Sequence, residues 1–209
     1  MRKLVLISIA GFLLIAGCNN SKKASDANFA EAINQYLAKR GQACTSIGQT
    51  FPIDVPAFEQ KDQYGIAPEM AALEEAGLVH GSNTTAVING MMGALGPTPP
   101  RPVRQYELTV DGKKYFQEKP GVFGQSGAFC YGQETVDSIV KWTEPRTTGP
   151  YSETEVTYTY KIVNVAGWAE RPDVQRDFPD IRTTIGGASK TDRIAGLQLT
   201  NKGWEVPEQ

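Results

Sequence analysis

Residues 153–162 alternate between two kinds of side chain, and this alternation constrains the fold more than any other feature of the sequence. The mostly apolar set is Thr154, Val156, Tyr158, Tyr160 and Ile162, and Glu, Thr or Lys fills every position between. A period of two predicts a strand with one buried face and one face in water, as in an antiparallel sheet covered on one side. The sequence therefore predicts an antiparallel β-sheet in the C-terminal part of the chain, residues 121–209.

Apolar residues also recur on one helical face early in the chain, in residues 28–40. This face consists of Phe29, Ile33, Tyr36 and Leu37. Asn28, followed three residues later by Glu31, is typical of a helix start, and Gly41 is typical of a helix end. A first helix is therefore expected between Asn28 and Gly41.

A second helix is expected to begin at Pro68 and to stop at Gly77. Proline suits the first turn of a helix because its missing N–H would have no partner there. Met70 and Leu73 supply the buried side of this helix. Together these features predict an α+β protein, in which a small helical part, residues 28–120, packs with the C-terminal antiparallel sheet.

The residues after the second helix form a recognisable pattern. They are Leu73, Gly77, Leu78 and Val79, followed by Tyr106, Leu108, Thr109 and Gly112. The pattern resembles the winged-helix family, in which a helix leads into a hairpin, and it covers residues 68–116. The segment before Pro68 matches the first helix of that family poorly. The second helix is also acidic, since it bears Glu69, Glu74 and Glu75, so the resemblance implies a structural or protein-binding module.

A short leader opens the chain. Arg2 and Lys3 precede an apolar run, residues 4–14, which is too short to cross a bilayer and is typical of a signal peptide. The next residues are Ile15, Ala16, Gly17 and Cys18. They resemble the lipobox of bacterial lipoproteins, which is an aliphatic residue, a spacer, Ala or Gly, and then Cys. A Leu-rich run with a chance cysteine is the alternative.

The lipobox resemblance implies that residues 1–17 are removed and that Cys18 is lipidated. The Cys18 thiol would receive diacylglycerol, and the new amino group would receive an acyl chain such as palmitate. Two or three chains are enough for stable membrane attachment. We therefore expect a cell-envelope lipoprotein facing the periplasm, with residues 18–27 as a flexible tether. Asn19 slightly favours the outer over the inner membrane, by resemblance to enterobacterial sorting.

The charge of the chain argues against nucleic acid as a partner. The whole chain has a formal net charge of -2. Removal of residues 1–17 takes away two basic residues, which leaves a net charge of about -4. Binding to phosphates requires a basic surface. We expect no nucleic-acid partner.

The three cysteines fall into two groups. If Cys18 is lipidated, Cys44 and Cys130 remain as an even pair in an oxidising compartment. They are expected to form a disulfide that closes a loop of about 85 residues, worth on the order of 4 kcal/mol in the chain-entropy model. Two separate buried thiols are the alternative.

A glycine-punctuated apolar run in the middle of the chain is a candidate partner loop. Its apolar residues are Val87, Ile88, Met91, Met92 and Leu95, and prolines follow it. Methionine and glycine adapt to irregular surfaces, which suits contact with an envelope protein. Packing of this run on its own domain is the alternative.

The sequence offers few groups for catalysis. His80 is the only histidine, which excludes a His-rich metal site, and no glycine loop has the spacing for phosphate binding. Glu153 and Glu155 share a strand face, and a mixed cluster of charged residues follows at Arg171, Asp173, Arg176, Asp177, Asp180 and Arg182. Such groups usually serve solvation or surface ion pairs. We therefore expect no catalytic residue, no metal and no cofactor.

The favoured interpretation is a non-catalytic, lipid-anchored periplasmic protein that binds an unknown partner. The first alternative is an envelope lipoprotein that binds a small molecule or peptide in an aromatic pocket. The pocket candidates are Trp142, Tyr158, Tyr160 and Trp168, for which core packing is the competing role. The second alternative is a cell-wall-directed hydrolase that uses a carboxylate pair.

Overall fold

The computed structural model describes residues 21–88, 99–121, 124–149 and 151–208. In chain order, the elements are α1 (Asp26–Arg40), β1 (Gln42–Ser46), β2 (Ile53–Pro56), α2 (Ile66–Glu75), β3 (Val79–Ala86), β4 (Arg101–Leu108), α3 (Gly112–Tyr115), β5 (Phe116–Gly121), β6 (Gly124–Trp142), β7 (Arg146–Thr148), β8 (Tyr151–Val163), a 3-10 helix (Gly167–Glu170), α4 (Pro172–Asp177), α5 (Pro179–Gly187), β9 (Asp192–Leu199) and β10 (Trp204–Glu205). This composition confirms the predicted α+β class.

Most strands join one curled antiparallel sheet. Its order is β1-β6-β8-β9-β10, with β5 also paired to β6 and β7 also paired to β8. Helix α1 packs on this sheet and buries Phe29, Ile33 and Leu37 against Val156 and Tyr160. We call the apolar cluster between α1 and strands β6, β8, β9 and β10 the second core. The expected C-terminal antiparallel sheet is present, although it also includes β1 and β5, which come from the part expected to be helical, residues 28–120.

The alternating segment lies at the centre of β8. Its apolar positions are buried as predicted, from Thr154 to Tyr160. Two of its polar positions are buried as well, since Thr157 is 6% and Thr159 is 8% exposed. The Thr159 hydroxyl lies 2.8 Å from the Ser138 hydroxyl on β6, so its polar atom has a partner inside the sheet. The face of β8 that was expected to contact water is therefore exposed mainly at Glu153, Glu155 and Lys161.

Helix α1 begins earlier than the sequence pattern suggested, with an N-cap three residues before Asn28. Its N-cap is Ser25, whose hydroxyl accepts a hydrogen bond from the Asn28 N–H. Further upstream, the Ser21 hydroxyl donates to the Lys202 carbonyl at 3.0 Å. Residues 21–25, which were expected to belong to the tether, therefore contact the folded domain.

Strands β2, β4 and β3 form a small antiparallel sheet in that order. It packs with α2, α4 and α5 and with the N-terminal half of β6. This first core contains Ile53, Met70, Leu73, Phe129, Trp168 and Ile181. Trp168 and Val174 of the short helix α4 belong to this same core.

The winged-helix resemblance is not confirmed as a fold. A winged helix has a helix pair ahead of its hairpin, whereas residues 57–65, which precede α2, form turns and bends. The residues that carry the resemblance do lie together, since Val79 on β3 pairs with Leu108 on β4 and the Thr109 N–H donates to the Leu78 carbonyl at 3.0 Å. The Thr109 hydroxyl donates to the Gly77 carbonyl at 2.7 Å and accepts from the Gly112 N–H at 2.9 Å. They join the end of α2 to the start of α3.

Strand β6 connects the two cores. Phe129 lies in the first core and Val136 in the second. The predicted disulfide is present: Cys44 on β1 lies opposite Cys130 on β6, and the two sulfurs are bonded. Within the described residues, no helix is both long and apolar enough to cross a membrane.

Candidate functional site

One edge of the large sheet is left open along β9. Strand β8 pairs with β9 from Asp192 to Leu199, whereas β10 reaches only Gln198 and Leu199 on the other side. Past Glu205 the chain leaves β9, and Lys39 Nζ of α1 lies 3.1 Å from Glu208 Oε1. Among the described residues, no strand pairs with this side of residues 192–197.

The register shows which backbone groups face the open edge. The Thr200 N–H donates to the Gly203 carbonyl at 2.8 Å, so the backbone groups of Thr200 point toward β10. In an antiparallel strand, successive residues point their N–H and C=O groups to opposite sides. The backbone groups of Ile194 and Gly196 therefore point to the open edge, and those of Ala195 and Leu197 point to β8.

A groove of about 660 Å³ follows this edge. Its inner wall is apolar and includes Ile33 and Tyr36 of α1, Tyr158, Leu197 and Val206. Its outer wall is more polar and includes Arg146, Glu153, Glu155 and Ile194. The two walls meet at the backbone of β9, because neighbouring residues of a strand point to opposite faces.

Gly196 widens the groove on its outer side. It lies opposite Glu155 in the sheet, and a Cβ atom added at Gly196 would meet no atom within 4 Å. Glu153 and Glu155 are both exposed. Within the described part of the chain, neither carboxylate lies within 4.0 Å of a basic side chain. Arg146 lies on the same wall, opposite Glu153 in the sheet. Two carboxylates and one guanidinium therefore give the outer wall a net negative charge next to the unpaired backbone groups.

A second groove lies on the other side of the C-terminal segment and has a volume of about 780 Å³. It is lined by the exposed side of α1, with Lys39 and Arg40, and by Glu205 and Glu208. The ion pair between Lys39 and Glu208 is fully at the surface, with both side chains about 70% exposed. This groove lacks the open strand edge of the first.

The structure places the predicted aromatic residues mainly in the cores. Tyr158 alone among the four lines the groove at β9. Tyr160 and Trp168 are buried, and the indole N–H of Trp142 donates to Asp26 Oδ1 at 2.9 Å. Core packing, the competing role, therefore accounts for most of them.

Several other candidates lie outside the described residues. These are Cys18, Met91, Met92 and Leu95. Val87, at the start of the candidate partner loop, is 52% exposed, and Ile88 is partly buried. The lipidation site and most of the loop therefore stay predictions.

The acidic and basic residues at 171–182 form local ion pairs. Arg171 binds Asp173 and Arg176 binds Asp177, each through two hydrogen bonds. The hydrogen bonds from Arg171 lower the pKa of Asp173. Among the described residues, no group of three or more His, Cys, Asp or Glu side chains could hold a metal ion.

A second polar network fixes α2 to the small sheet. Arg104 donates to both carboxylate oxygens of Glu74, at 3.0 and 2.8 Å, and the Gly81 N–H donates to one of them. Burial alone would raise the pKa of Glu74, but these hydrogen bonds outweigh it and lower the pKa. His80 lies at the rim, with its side chain 78% exposed and Nδ1 4.0 Å from Glu74. This network is structural.

Sequence reasoning missed the open edge of β9. The sequence does predict a final hairpin, with strands at residues 193–200 and 204–206 and a turn at residues 201–203, and the structure has strands at Asp192–Leu199 and Trp204–Glu205. The predicted strands already differ in length, but the open edge that follows from this difference was not predicted. Pro207 is the available signal, because proline lacks the N–H that would continue β10 along β9.

Comparisons with known proteins give no assignment: no family model, no curated protein and no solved structure matches the chain.

Proposed function

We propose that this protein is a lipid-anchored, non-catalytic binding protein of the cell envelope, which holds an extended polypeptide segment at the open edge of β9. The observation that carries the proposal is the groove of about 660 Å³ built along unpaired backbone groups. An extended segment that pairs with a strand edge gains main-chain hydrogen bonds, and its alternate side chains enter flanking pockets. Ile194 and Gly196 supply the backbone groups.

The two walls define the chemistry of the bound segment. Side chains on one face of the segment would lie against Tyr36, Leu197 and Val206, so they are apolar. Side chains on the other face would lie beside Glu153 and Glu155, so they are basic. The preferred ligand is therefore an extended segment in which apolar residues alternate with Lys or Arg.

Two short synthetic peptides test this proposal, one alternating valine with lysine and one alternating valine with glutamate. Gly196→Pro removes an edge N–H without removing a hydrogen bond to β8, and Gly196→Ala is the matched control that keeps the N–H. We expect the valine–lysine peptide to bind the wild type and the Ala variant, and to bind the Pro variant about tenfold more weakly because a main-chain hydrogen bond is lost. Isothermal titration calorimetry measures these affinities.

Glu155→Lys provides a variant whose backbone is unchanged. We expect it to weaken binding of the valine–lysine peptide and to favour the valine–glutamate peptide. Equal affinity of both peptides for the wild type, or equal affinity of the Pro and Ala variants, would contradict strand addition at this edge.

The anchor is tested separately by Cys18→Ser. We expect the wild type to fractionate with membranes and the variant to appear in the soluble periplasmic fraction. A variant that remained with the membranes would refute lipidation as the anchor.

The end of the small sheet is a second candidate interface for a protein partner. Phe58 is 67% exposed and Val87 is 52% exposed. Both lie near the start of β4, because the N–H of Ala57 donates to the Pro102 carbonyl and Pro102 lies opposite Thr85. Deletion of residues 87–95 in an envelope pull-down tests this interface, and an unchanged set of partners would eliminate it.

A further inference from the structure

Glu155 and Gly196 lie side by side on the outer wall of the groove at β9. They are paired residues of β8 and β9, so they share one face of the sheet. Both are exposed, and a Cβ atom added at Gly196 would meet no atom within 4 Å. The face of β9 is therefore bare between the open edge and the Glu155 side chain.

This bare stretch determines which side chains of a bound segment can reach Glu155. A strand paired with the open edge would lie one strand spacing from β9 and two spacings, about 9.5 Å, from β8. The side chain of its residue opposite Gly196 would run over the glycine toward the Glu155 carboxylate. Lysine and arginine are long enough to cross, whereas a short cationic side chain would end above Gly196.

The carboxylate of Glu155 is the charge nearest to this path. On the same face of β9, the residues on either side of Gly196 are Ile194 and Gln198, which carry no charge. The nearest basic residue on β6, Lys141, lies one strand further from the open edge than Glu155.

Arg146 does not neutralise Glu155 either. It lies on β7 opposite Glu153, two residues before Glu155. Among the described residues, no basic side chain lies within 4.0 Å of the Glu155 carboxylate. A cation that crosses Gly196 would therefore meet an unpaired carboxylate.

A second copy of this chain would fit this path poorly. In the register that pairs residues 192–196 of two copies, Asp192 of one copy would lie opposite Gly196 of the other. Two carboxylates would then approach each other at Glu155, and like charges at such positions are destabilising. The charge favours a different polypeptide as the occupant.

We propose that Gly196 and Glu155 form a subsite for one long basic side chain of the bound segment. The glycine leaves the path open, and the carboxylate binds the ammonium or guanidinium group at its end. This inference rests on the proposed strand addition at β9 and names the position that selects the ligand. The contact is expected to contribute about threefold in affinity, because the ion pair is partly exposed to solvent.

Two peptides of equal charge test the dependence on side-chain length. One is the valine–lysine peptide, and the other has 2,4-diaminobutyric acid, whose side chain is two methylene groups shorter, in place of each lysine. We expect the wild type to bind the lysine peptide about threefold more tightly in isothermal titration calorimetry. A general attraction to the negative wall would not depend on this length, so equal affinities for the wild type would overturn the subsite.

Glu155→Gln assigns the length preference to one carboxylate. We expect the ratio of the two affinities to fall about threefold in this variant. Glu153→Gln is the matched control, because it removes the same charge at a position opposite Gln198, where β10 occupies the edge. It is expected to change the affinity of both peptides alike and to keep the wild-type ratio. A ratio that is unchanged in Glu155→Gln, or that falls equally in both variants, would overturn the subsite.

Gly196→Val tests the path itself, because valine keeps the edge N–H but places a branched side chain between the bound strand and Glu155. We expect the ratio of affinities to fall as in Glu155→Gln, and a wild-type ratio would overturn the subsite. The comparison with Gly196→Pro separates the two proposals. If both peptides lose affinity for the Pro variant but the wild type shows no length preference, strand addition stands and the subsite is wrong. If neither peptide loses affinity for the Pro variant, strand addition and the subsite are both wrong.

Discussion

Glu74 joins helix α2 to two strands of the small sheet, because its carboxylate accepts hydrogen bonds from Arg104 on β4 and from the Gly81 N–H on β3. Glu74→Gln is expected to lower the free energy of unfolding at pH 7 by about 1 kcal/mol, since a charge-assisted pair is replaced by a neutral one at a partly exposed site. Urea denaturation measures this change.

The contribution of Glu74 to the free energy of unfolding should depend on pH, because the pKa of this residue is lowered in the folded state. A carboxyl group with a lowered folded pKa stabilises the protein above its unfolded pKa, and this stabilisation is lost as the pH falls through the folded pKa. The difference between wild type and Glu74→Gln should therefore shrink between pH 7 and acidic pH. If the difference in free energy of unfolding between the two proteins stayed constant with pH, the charge of Glu74 would not contribute to stability.

The contribution of Glu69, on the same helix, to the free energy of unfolding should depend on pH in the opposite direction. Burial raises its pKa, and the nearby charges of Asp180 and Asp177 raise it further. A raised folded pKa means that the folded state takes up protons more readily, so stability decreases as the pH rises through this range. Glu69→Gln is expected to increase the free energy of unfolding at pH 7 by up to about 0.5 kcal/mol. Glu75→Gln, at an exposed position of α2, is the control and should have no such effect.

At the scale of elements, Gly112 determines how closely α3 approaches the end of α2. A Cβ atom at this position would overlap the Leu78 carbonyl oxygen. Gly112→Ala is therefore expected to lower the free energy of unfolding by about 2 kcal/mol, because the backbone must shift and the hydrogen bond from the Gly112 N–H to Thr109 is lost. Gly167→Ala, where a Cβ would meet open space, is the matched control for thermal unfolding. Equal melting temperatures for the two variants would contradict the close contact.

Elements with a regular local pattern could be predicted from the sequence, as α1 and β8 show. The C-terminal half of β6 could not be distinguished from a helix. Its register with β8 shifts between Val136 and Ser138 and again between Ile139 and Lys141. Each bulge adds a residue to one strand and interrupts the period of two. The open edge of β9 depends on where β10 stops pairing, and no pattern within β9 itself carries that information.

At the scale of the whole molecule, β6 makes the two cores interdependent. It places Phe129 in the first core and Val136 in the second. Unfolding of either core would therefore remove the packing of half of β6. The neighbouring strands would lose their hydrogen bonds to that half. We expect the protein to unfold in one cooperative transition and not as two separate domains.

Two matched substitutions test this interdependence, since Ile181 in the first core and Ile33 in the second are both fully buried. Ile181→Ala and Ile33→Ala are each expected to lower the free energy of unfolding by about 2 to 5 kcal/mol. Tryptophan fluorescence reports each core separately. A Trp168→Phe background retains Trp142 and Trp204, which report the second core. A background with Trp142→Phe and Trp204→Phe retains Trp168, which reports the first core. Because β6 belongs to both cores, each Ile substitution should shift both signals to the same lower urea midpoint. A substitution that shifted only the signal of its own core would show that the cores unfold independently, and that strand β6 does not couple them.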